Sequence, residues 1–292
     1  MTTVPLDPPS GRSTLPFVDA RHPDRPIDVN LYRAPGYRPG GDVVFVQHGM
    51  LRNGDDYRDF WIPAADRHDL LIVAPTFGDA YFPKPESYNN GLVIRDDGTV
   101  AAADDWLYGV PARILAALRQ AGAVTQAKVR IFGHSAGGQF VHRLLATQAD
   151  PPFAVAFAAN SGWYTLPTLE RRFPEGLGGI GLGETALVRW LAWPMVIFAG
   201  DQDVLTDDPS LPAQAEALAQ GPMRFARAHF MLDFARREAA RRRVPCNWQI
   251  VVVPGIGHDG GAMSRAAAAL WFEGRIPPAG ELGQPAEARL RL

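Results

Sequence analysis

Cysteine is almost absent from this sequence, with Cys246 as the single example among 292 residues. One thiol cannot form an internal disulfide, and by itself it cannot supply a structural zinc site. Apolar residues make up 47% of the chain, which is enough to build a sizeable core without such cross-links. We therefore expect an ordinary globular core and no metal site.

An excess of charge of one sign is also lacking. The 29 Lys and Arg residues nearly balance the 31 Asp and Glu residues, and the formal net charge is −2. A chain with so small a net charge has no broad cationic field to attract phosphate groups. We therefore expect neither nucleic acid nor an anionic membrane surface as a partner.

Long hydrophobic runs are missing as well. No stretch approaches the roughly 20 apolar residues that a membrane-spanning helix needs. Residues 1–40 carry many prolines and charged side chains, without the apolar segment of a secretory signal. These absences predict a cytoplasmic protein.

The sequence does contain a series of short apolar runs separated by helical patterns. The runs are continuous, which is typical of strands buried on both faces of a parallel sheet. They cover residues 43–47, 70–74, 128–132, 153–159, 195–199 and 249–253, and the helical patterns cover 59–67, 106–121, 136–145 and 223–242. Residues 27–32 alternate between apolar and polar, which favours an antiparallel or edge strand. The order predicts an α/β fold with a mainly parallel sheet and helices on both faces.

The chain length favours a single α/β domain, which we place at residues 27–274. Residues 1–26 are predicted to form a peripheral extension, and residues 275–292 a peripheral tail. A small cap with one helix is predicted at 162–193. Residues 77–105 are rich in aromatic residues, Gly, Pro and Asn. Loops of that length are usually functional, so we expect this one beside the active site.

The strongest chemical signal is a serine between two glycines, in the order Gly133, His134, Ser135, Ala136, Gly137. The motif directly follows a predicted strand and precedes a predicted helix. A serine at such a tight turn needs a nearly forbidden backbone conformation, and glycines on either side remove side chains that would collide. This placement predicts that Ser135 is a nucleophile.

A serine hydroxyl needs a base and an orienting acid. His258 follows the last predicted strand and is the predicted base. His134 is expected to point away from the site, because adjacent residues on a tight turn diverge. Asp203 and Asp201 both follow the strand at 195–199. Asp203 is preferred, since a short turn would bring its side chain over the sheet edge, and Asp201 is the alternative.

Acyl transfer also needs hydrogen-bond donors for the developing oxyanion. One donor is expected from the residue after the nucleophile, which is Ala136. The other is expected from the loop after the strand at 43–47, where Gly49 permits close approach and the Met50 N–H is the predicted donor.

These segments together resemble a known enzyme family. Residues 47–50, 133–138, 200–203 and 254–258 are similar to α/β-hydrolases, specifically to the polyhydroxybutyrate depolymerase and feruloyl esterase-like branch, and the similarity spans residues 43–271. The resemblance implies Ser135, Asp203 and His258 as the catalytic triad and Met50 and Ala136 as the oxyanion donors. It also implies carboxylic-ester hydrolysis without a cofactor.

The substrate is predicted less closely than the reaction. Leu51, Tyr88, Trp163 and Tyr164 are predicted to contact a small-molecule or oligomeric ester, although the aromatic residues would equally suit packing of the loops. The same triad would serve an acyltransferase, a thioesterase or a peptidase. A non-catalytic binding protein on this scaffold is the remaining alternative. The sequence predicts no oligomeric state.

Overall fold

The computed structural model describes residues 5–283, which contain an eight-stranded mixed sheet. The strands are β1 (Gly11–Phe17), β2 (Ile27–Arg33), β3 (Val43–Gln47), β4 (Leu71–Thr76), β5 (Val129–His134), β6 (Phe153–Ala159), β7 (Met195–Gly200) and β8 (Gln249–Val253). Their order across the sheet is β1-β2-β4-β3-β5-β6-β7-β8. The pairs β1/β2 and β2/β4 are antiparallel, whereas the other five pairs are parallel. The predicted α/β-hydrolase fold is confirmed.

Helices cover both faces of this sheet. They are α1 (Gly54–Phe60), α2 (Ile62–His68), α3 (Val110–Gln120), α4 (Ala136–Thr147), α5 (Glu184–Ala192), α6 (Ala215–Leu218), α7 (Arg224–Arg242), α8 (Gly260–Glu273) and α9 (Ala279–Leu282). α1 and α8 pack on each other and against strands, whereas α4 packs on β3, β5, β6 and α5. None of the helices among the described residues is long and apolar enough to cross a membrane.

The central strands show why this sequence forms a parallel sheet. All five residues of β3 are buried, as expected for a strand covered by helices on both faces. Because the parallel strands run in one direction, the loops after β3, β5, β7 and β8 leave the sheet at the same edge. The sheet therefore gathers segments that are far apart in the sequence.

The amino-terminal region differs from the prediction of a peripheral extension. Residues 11–17 form β1, which pairs with β2 over its whole length and adds an edge strand. Pro16 lies within it, and an edge strand tolerates proline because one side of the strand has no hydrogen-bonded neighbour. The proline and the many polar residues concealed this strand in the sequence.

Two other predicted elements also differ. The single helix predicted at 59–67 is two helices, α1 and α2, separated at the buried Trp61. The predicted tail begins with α9, which packs on α8 and buries Leu282. The rest of the tail, residues 284–292, lies outside the described residues. The predicted cap at 162–193 contains α5 after a largely irregular stretch.

Candidate active site

The nucleophile turn joins the end of β5 to the start of α4. Ser135 stands between them with φ 57° and ψ −117°, a conformation that residues with a Cβ rarely adopt. Such a turn lifts the serine side chain above the carboxyl edge of the sheet. The strained backbone is what the sequence motif predicted at this point.

The glycines around Ser135 allow three backbone segments to approach closely. A Cβ at Gly133 would overlap the backbone of Gly137, and a Cβ at Gly137 would overlap the carbonyl group of Gln47 in β3. A Cβ at Gly138 would lie 2.6 Å from the carbonyl oxygen of Ala159. The glycines therefore set the distance between α4 and the strands beside it.

Ser135, His258 and Asp203 form a continuous hydrogen-bonded chain. The Ser135 hydroxyl lies 3.1 Å from His258 Nε2, and His258 Nδ1 lies 2.7 Å from Asp203 Oδ2. Because the carboxylate can only accept, Nδ1 carries the proton and Nε2 is left to accept from the serine. This arrangement can remove a proton from Ser135 and stabilise the imidazolium that results.

Asp201, the alternative acid, has different partners. Its Oδ1 accepts hydrogen bonds from the Gly255 N–H at 2.7 Å and from the Gln202 side-chain amide at 3.1 Å. These bonds tie the loop after β7 to the turn after β8. Asp203 is the carboxylate brought to His258, and Asp201 braces the two loops that carry the pair.

Asn160 makes a second brace, which the sequence analysis did not identify. The Gly200 N–H donates to its side-chain oxygen at 2.8 Å, and its amide donates to the Gly257 carbonyl at 2.9 Å. The residue has φ 41°, a left-handed conformation that asparagine tolerates better than most residues. Its position directly after β6, at the same edge as Ser135, was the available signal.

The two predicted oxyanion donors are Ala136, which directly follows the nucleophile, and Met50, in the loop after β3. Ala136 is the first residue of α4, so its N–H has no acceptor within the helix. Among residues 5–283 the Met50 N–H makes no hydrogen bond. A Cβ added to Gly49 would lie 3.7 Å from Ser135 Cβ, which shows how closely this loop approaches the serine. Both N–H groups therefore lack a hydrogen-bond partner among the described residues, and their role as oxyanion donors stays a prediction.

Comparison with solved structures finds hydrolases with this fold. Over 94% of this chain and 93% of the other, the sequence is 56% identical to LpqC, a poly(3-hydroxybutyrate) depolymerase from Bordetella parapertussis, with a TM-score of 0.91. The chain belongs to the poly(3-hydroxybutyrate) depolymerase-like family of α/β-hydrolases. It is also 31% identical to poly(aspartic acid) hydrolase-1 from Sphingomonas sp. KT-1, over 89% of this chain and 98% of the other, with a TM-score of 0.86.

The fold of this depolymerase-like esterase extends to more distant hydrolases. An S-formylglutathione hydrolase from Agrobacterium tumefaciens matches 97% of this chain and 100% of its own, with 14% identity and a TM-score of 0.57. No protein-family model and no curated protein sequence matches the chain. The family predicted from the sequence motifs is confirmed, and the chain is an enzyme that acts on esters.

Residues 48–52, named the oxyanion loop here for the donor predicted at Met50, are held in place by His48. Its Nε2 accepts from the Phe77 N–H at 3.0 Å, so Nδ1 carries the proton and donates to the Gly49 carbonyl at 2.7 Å. Burial lowers the pKa of His48 to about 3, which keeps the ring neutral. Arg52 anchors the same loop through hydrogen bonds to the carbonyls of Phe82 and Lys84.

Tyr88 was predicted to contact substrate, but it is fully buried. Its hydroxyl donates to the His48 carbonyl at 2.7 Å, and its ring stacks on the His48 ring with centroids 4.5 Å apart. The guanidinium of Arg52 lies over the Tyr88 ring, 4.3 Å from its centroid. Tyr88 therefore supports the oxyanion loop from within the core.

The other predicted contacts differ in exposure. Tyr164 is fully buried and Trp163 nearly so, the latter with Arg143 over its ring. Both aromatic side chains contact α4, Tyr164 through the His142 ring and Trp163 through Arg143. Leu51 is 85% exposed and Met50 is 38% exposed, so the loop after β3 presents apolar side chains at the surface. An aromatic residue in a loop does not reveal in the sequence which way it faces.

His134 was expected to point away from the site, yet it packs against the base. Its ring centroid lies 4.6 Å from that of His258, and a hydrogen bond of 2.8 Å joins its Nδ1 to the Tyr57 hydroxyl. Burial, followed by the nearby His258, holds the pKa of His134 well below its usual value. The base is thus backed by a neutral ring rather than a second cation.

The site contains no candidate for metal coordination. Within the described residues, no group of three or more His, Cys, Asp or Glu side chains converges in a way that could hold a metal ion.

Proposed function

We propose that this esterase is a serine hydrolase that cleaves carboxylic esters through an acyl-enzyme on Ser135. The observation that carries the proposal is the chain from Asp203 through His258 to Ser135 at the end of β5. Its two hydrogen bonds, of 2.7 and 3.1 Å, give a base in the correct tautomer at the nucleophile. The reaction needs no group beyond these residues and water.

Each of these groups has a separate role in the proposed reaction. His258 Nε2 takes the hydroxyl proton as Ser135 Oγ forms a bond to the ester carbonyl carbon. The N–H groups of Met50 and Ala136 bind the oxyanion of the tetrahedral intermediate. His258 then gives the proton to the leaving alkoxide, which departs as an alcohol. Water then attacks the acyl-enzyme carbonyl as His258 Nε2 takes its proton, and the imidazolium returns that proton to Ser135 Oγ as the bond to the acyl carbon breaks and the acid leaves.

The substrate we propose is an uncharged hydroxyacyl ester or a short oligomer of 3-hydroxybutyrate. Four exposed apolar side chains adjoin the catalytic residues in sequence: Met50 and Leu51 on the oxyanion loop, and Val204 and Leu205 directly after Asp203. Such side chains suit methyl-bearing acyl units. The 56% identity to a poly(3-hydroxybutyrate) depolymerase supports the same class.

A second candidate is hydrolysis of a poly(aspartic acid)-like amide, favoured by the 31% identity to a poly(aspartic acid) hydrolase. A polyanionic substrate needs exposed cations near the reacting bond. Arg52, in the loop after β3, and Arg224, beside Asp203, are buried and already paired with protein groups. This distribution of charge favours the uncharged ester.

The test is labelling with a fluorophosphonate followed by peptide mapping, together with rates on p-nitrophenyl esters, 3-hydroxybutyrate oligomers and poly(aspartic acid). Wild-type protein should be labelled at Ser135, and Ser135→Ala should lose both labelling and turnover while keeping its circular dichroism. Retained turnover in that variant would refute the assignment of Ser135 as the nucleophile. Faster cleavage of poly(aspartic acid) than of the hydroxybutyrate oligomers would refute the proposed substrate class.

A further inference from the structure

Helix α7 begins with a buried arginine, which two general effects disfavour. Arg224 is the first residue of the helix and is 1% exposed. The amino end of a helix carries partial positive charge and repels cations, and removing a guanidinium from water costs free energy. A cation placed there needs partners that offset both effects.

The partners of Arg224 include the catalytic acid. Its Nη1 lies 2.8 Å from Asp208 Oδ2 and 3.5 Å from Asp203 Oδ1, and its Nη2 donates to the Ser210 hydroxyl at 2.8 Å. Burial opposes the charge on Asp208, but hydrogen bonds from Ser210 and the charge of Arg224 lower the pKa of that carboxyl to about 2. One guanidinium is therefore shared between two carboxylates.

Asp203 is held by the start of α7 in two ways. Its side chain has one oxygen at His258 and the other facing Arg224. Its backbone carbonyl accepts a hydrogen bond from the Phe225 N–H at 3.2 Å. Because Asp203 is only 2% exposed, water has little access to its charge, and these contacts decide both the orientation and the electrostatics of the carboxylate.

The charges of Asp203, Asp208 and Arg224 are balanced only when His258 becomes protonated during catalysis. Two carboxylates and one guanidinium leave a single negative charge in the resting enzyme. When His258 takes the proton of Ser135, the imidazolium neutralises it. The positive charge of Arg224 thus weakens the attraction of Asp203 for a proton on His258. The negative charge of Asp208 offsets part of this effect.

We propose that Arg224 is a positioning residue for the catalytic acid, and that the Arg224–Asp208 pair sets the strength of His258 as a base through Asp203. The proposal rests on the proposed function, in which His258 is that base. A purely structural arginine would affect folding and catalysis without altering how the rate depends on pH.

Four other titratable groups lie near His258 or Asp203 and are not replaced in the variants proposed below. His134 stacks on the ring from β5, Tyr57 bonds to His134 from α1, and Tyr164 lies near Asp203 from the cap. Asp259, next to His258, accepts from the Ala262 N–H at the start of α8. Substitutions at positions 224 and 208 leave these side chains in the sequence, and the one of them that the charge of Arg224 reaches is His134, whose pKa it helps to lower.

The experiment compares Arg224→Met with Asp208→Asn, following kcat/KM on a p-nitrophenyl ester against pH. Loss of the cation should move the midpoint of the acidic limb to higher pH by about one unit and lower kcat/KM about 10- to 100-fold. Loss of the Asp208 charge should move the midpoint to lower pH. An unmoved midpoint in both variants, or shifts of the same sign, would overturn the proposal.

Two controls separate the charge from packing. Arg224→Lys keeps the cation and should keep the midpoint within about 0.3 pH units. Arg227→Met removes a second buried arginine, one turn further along α7, whose partners are the carbonyls of Gly221 and Gly162. It should not move the midpoint. A shift with Arg227→Met equal to that with Arg224→Met would also overturn the proposal.

Failure of the two proposals can be told apart. Absence of fluorophosphonate labelling at Ser135 in the wild type would overturn the proposed function. Labelling of the wild type with an unmoved acidic limb would overturn the role of Arg224 alone. If Arg224→Met does not fold, Asp208→Asn decides, because Asp208 is partly exposed and its substitution leaves the buried cation in place.

Discussion

Two aspartates lie two positions apart after β7, and their hydrogen bonds alone distinguish their roles. Asp203 accepts from the imidazole of His258, whereas Asp201 accepts from the backbone of Gly255. One bond orients a reacting group, and the other joins two loops. Exchanging a carboxylate for an amide should therefore affect the two positions very differently.

Asp203→Asn should lower kcat by about 10⁴-fold on a p-nitrophenyl ester. The amide would donate to Nδ1, which turns the imidazole to the tautomer with its proton on Nε2, and that nitrogen could no longer accept from Ser135. Asp201→Asn keeps an acceptor for Gly255 and should change kcat less than about threefold. Steady-state kinetics on both variants measure this, and a larger loss at position 201 would reverse the assignment.

The sequence indicated Ser135, His258 and the two aspartates because each follows a recognisable strand, and parallel strands end at one edge. It did not indicate Arg224, which follows no strand and reaches Asp203 from the first turn of α7. Tyr88 and Tyr164 were assigned to the substrate, although both are buried. Their loops have no repeating pattern from which the direction of a side chain follows.

At the scale of whole elements, the site depends on how closely α4 approaches β3. The contact is made through glycine, since a Cβ at Gly137 would overlap the Gln47 carbonyl. Neither element can move away without displacing Ser135 or the oxyanion loop. The packing of one helix on one strand is thus part of the geometry of the reacting groups.

Gly137→Ala should lower the free energy of unfolding by about 3 kcal/mol or more, because backbone atoms must shift to admit the methyl group. It should also reduce labelling of Ser135. Gly280→Ala is the matched control, since this glycine also lies in a helix and a Cβ there would meet nothing within 4 Å. Urea unfolding of both variants measures the difference, and equal effects at the two positions would contradict the steric argument.

The strands themselves were largely predictable. The six continuous apolar runs correspond to β3 to β8 with shifts of one or two residues at their ends. β1 was missed because polar residues and Pro16 disguise its alternation, and the helix at 59–67 was not recognised as two because Trp61 fits the apolar face of either. Edge strands and helix breaks depend on tertiary contacts that local patterns do not contain.

At the scale of the molecule, three fully buried histidines link stability to pH. Burial lowers the pKa of His48 to about 3 and holds the pKa values of His134 and His142 well below the usual range. In the unfolded chain these rings take up protons as the pH falls through about 6.5. The unfolded state then binds more protons than the folded state, so stability is lost on the acid side.

The free energy of unfolding should fall by about 4 kcal/mol between about pH 7.5 and about pH 5.5, one third of it from each histidine. Urea unfolding at the two values measures the loss. His142→Gln removes one of the three groups and should reduce the pH-dependent loss by about a third. A loss of the same size in that variant would show that other groups are responsible.

The cytoplasmic location expected from the sequence stays a prediction.

The anchoring of the oxyanion loop has a consequence for the course of the reaction. His48, Tyr88 and Arg52 hold the segment from Gly49 to Met50 through buried hydrogen bonds that do not involve a substrate. The loop that carries the proposed donor at Met50 is therefore fixed in place before an ester arrives. Under the proposed function, preorganisation of this kind means that no reorientation of dipoles in this loop is added to the activation barrier.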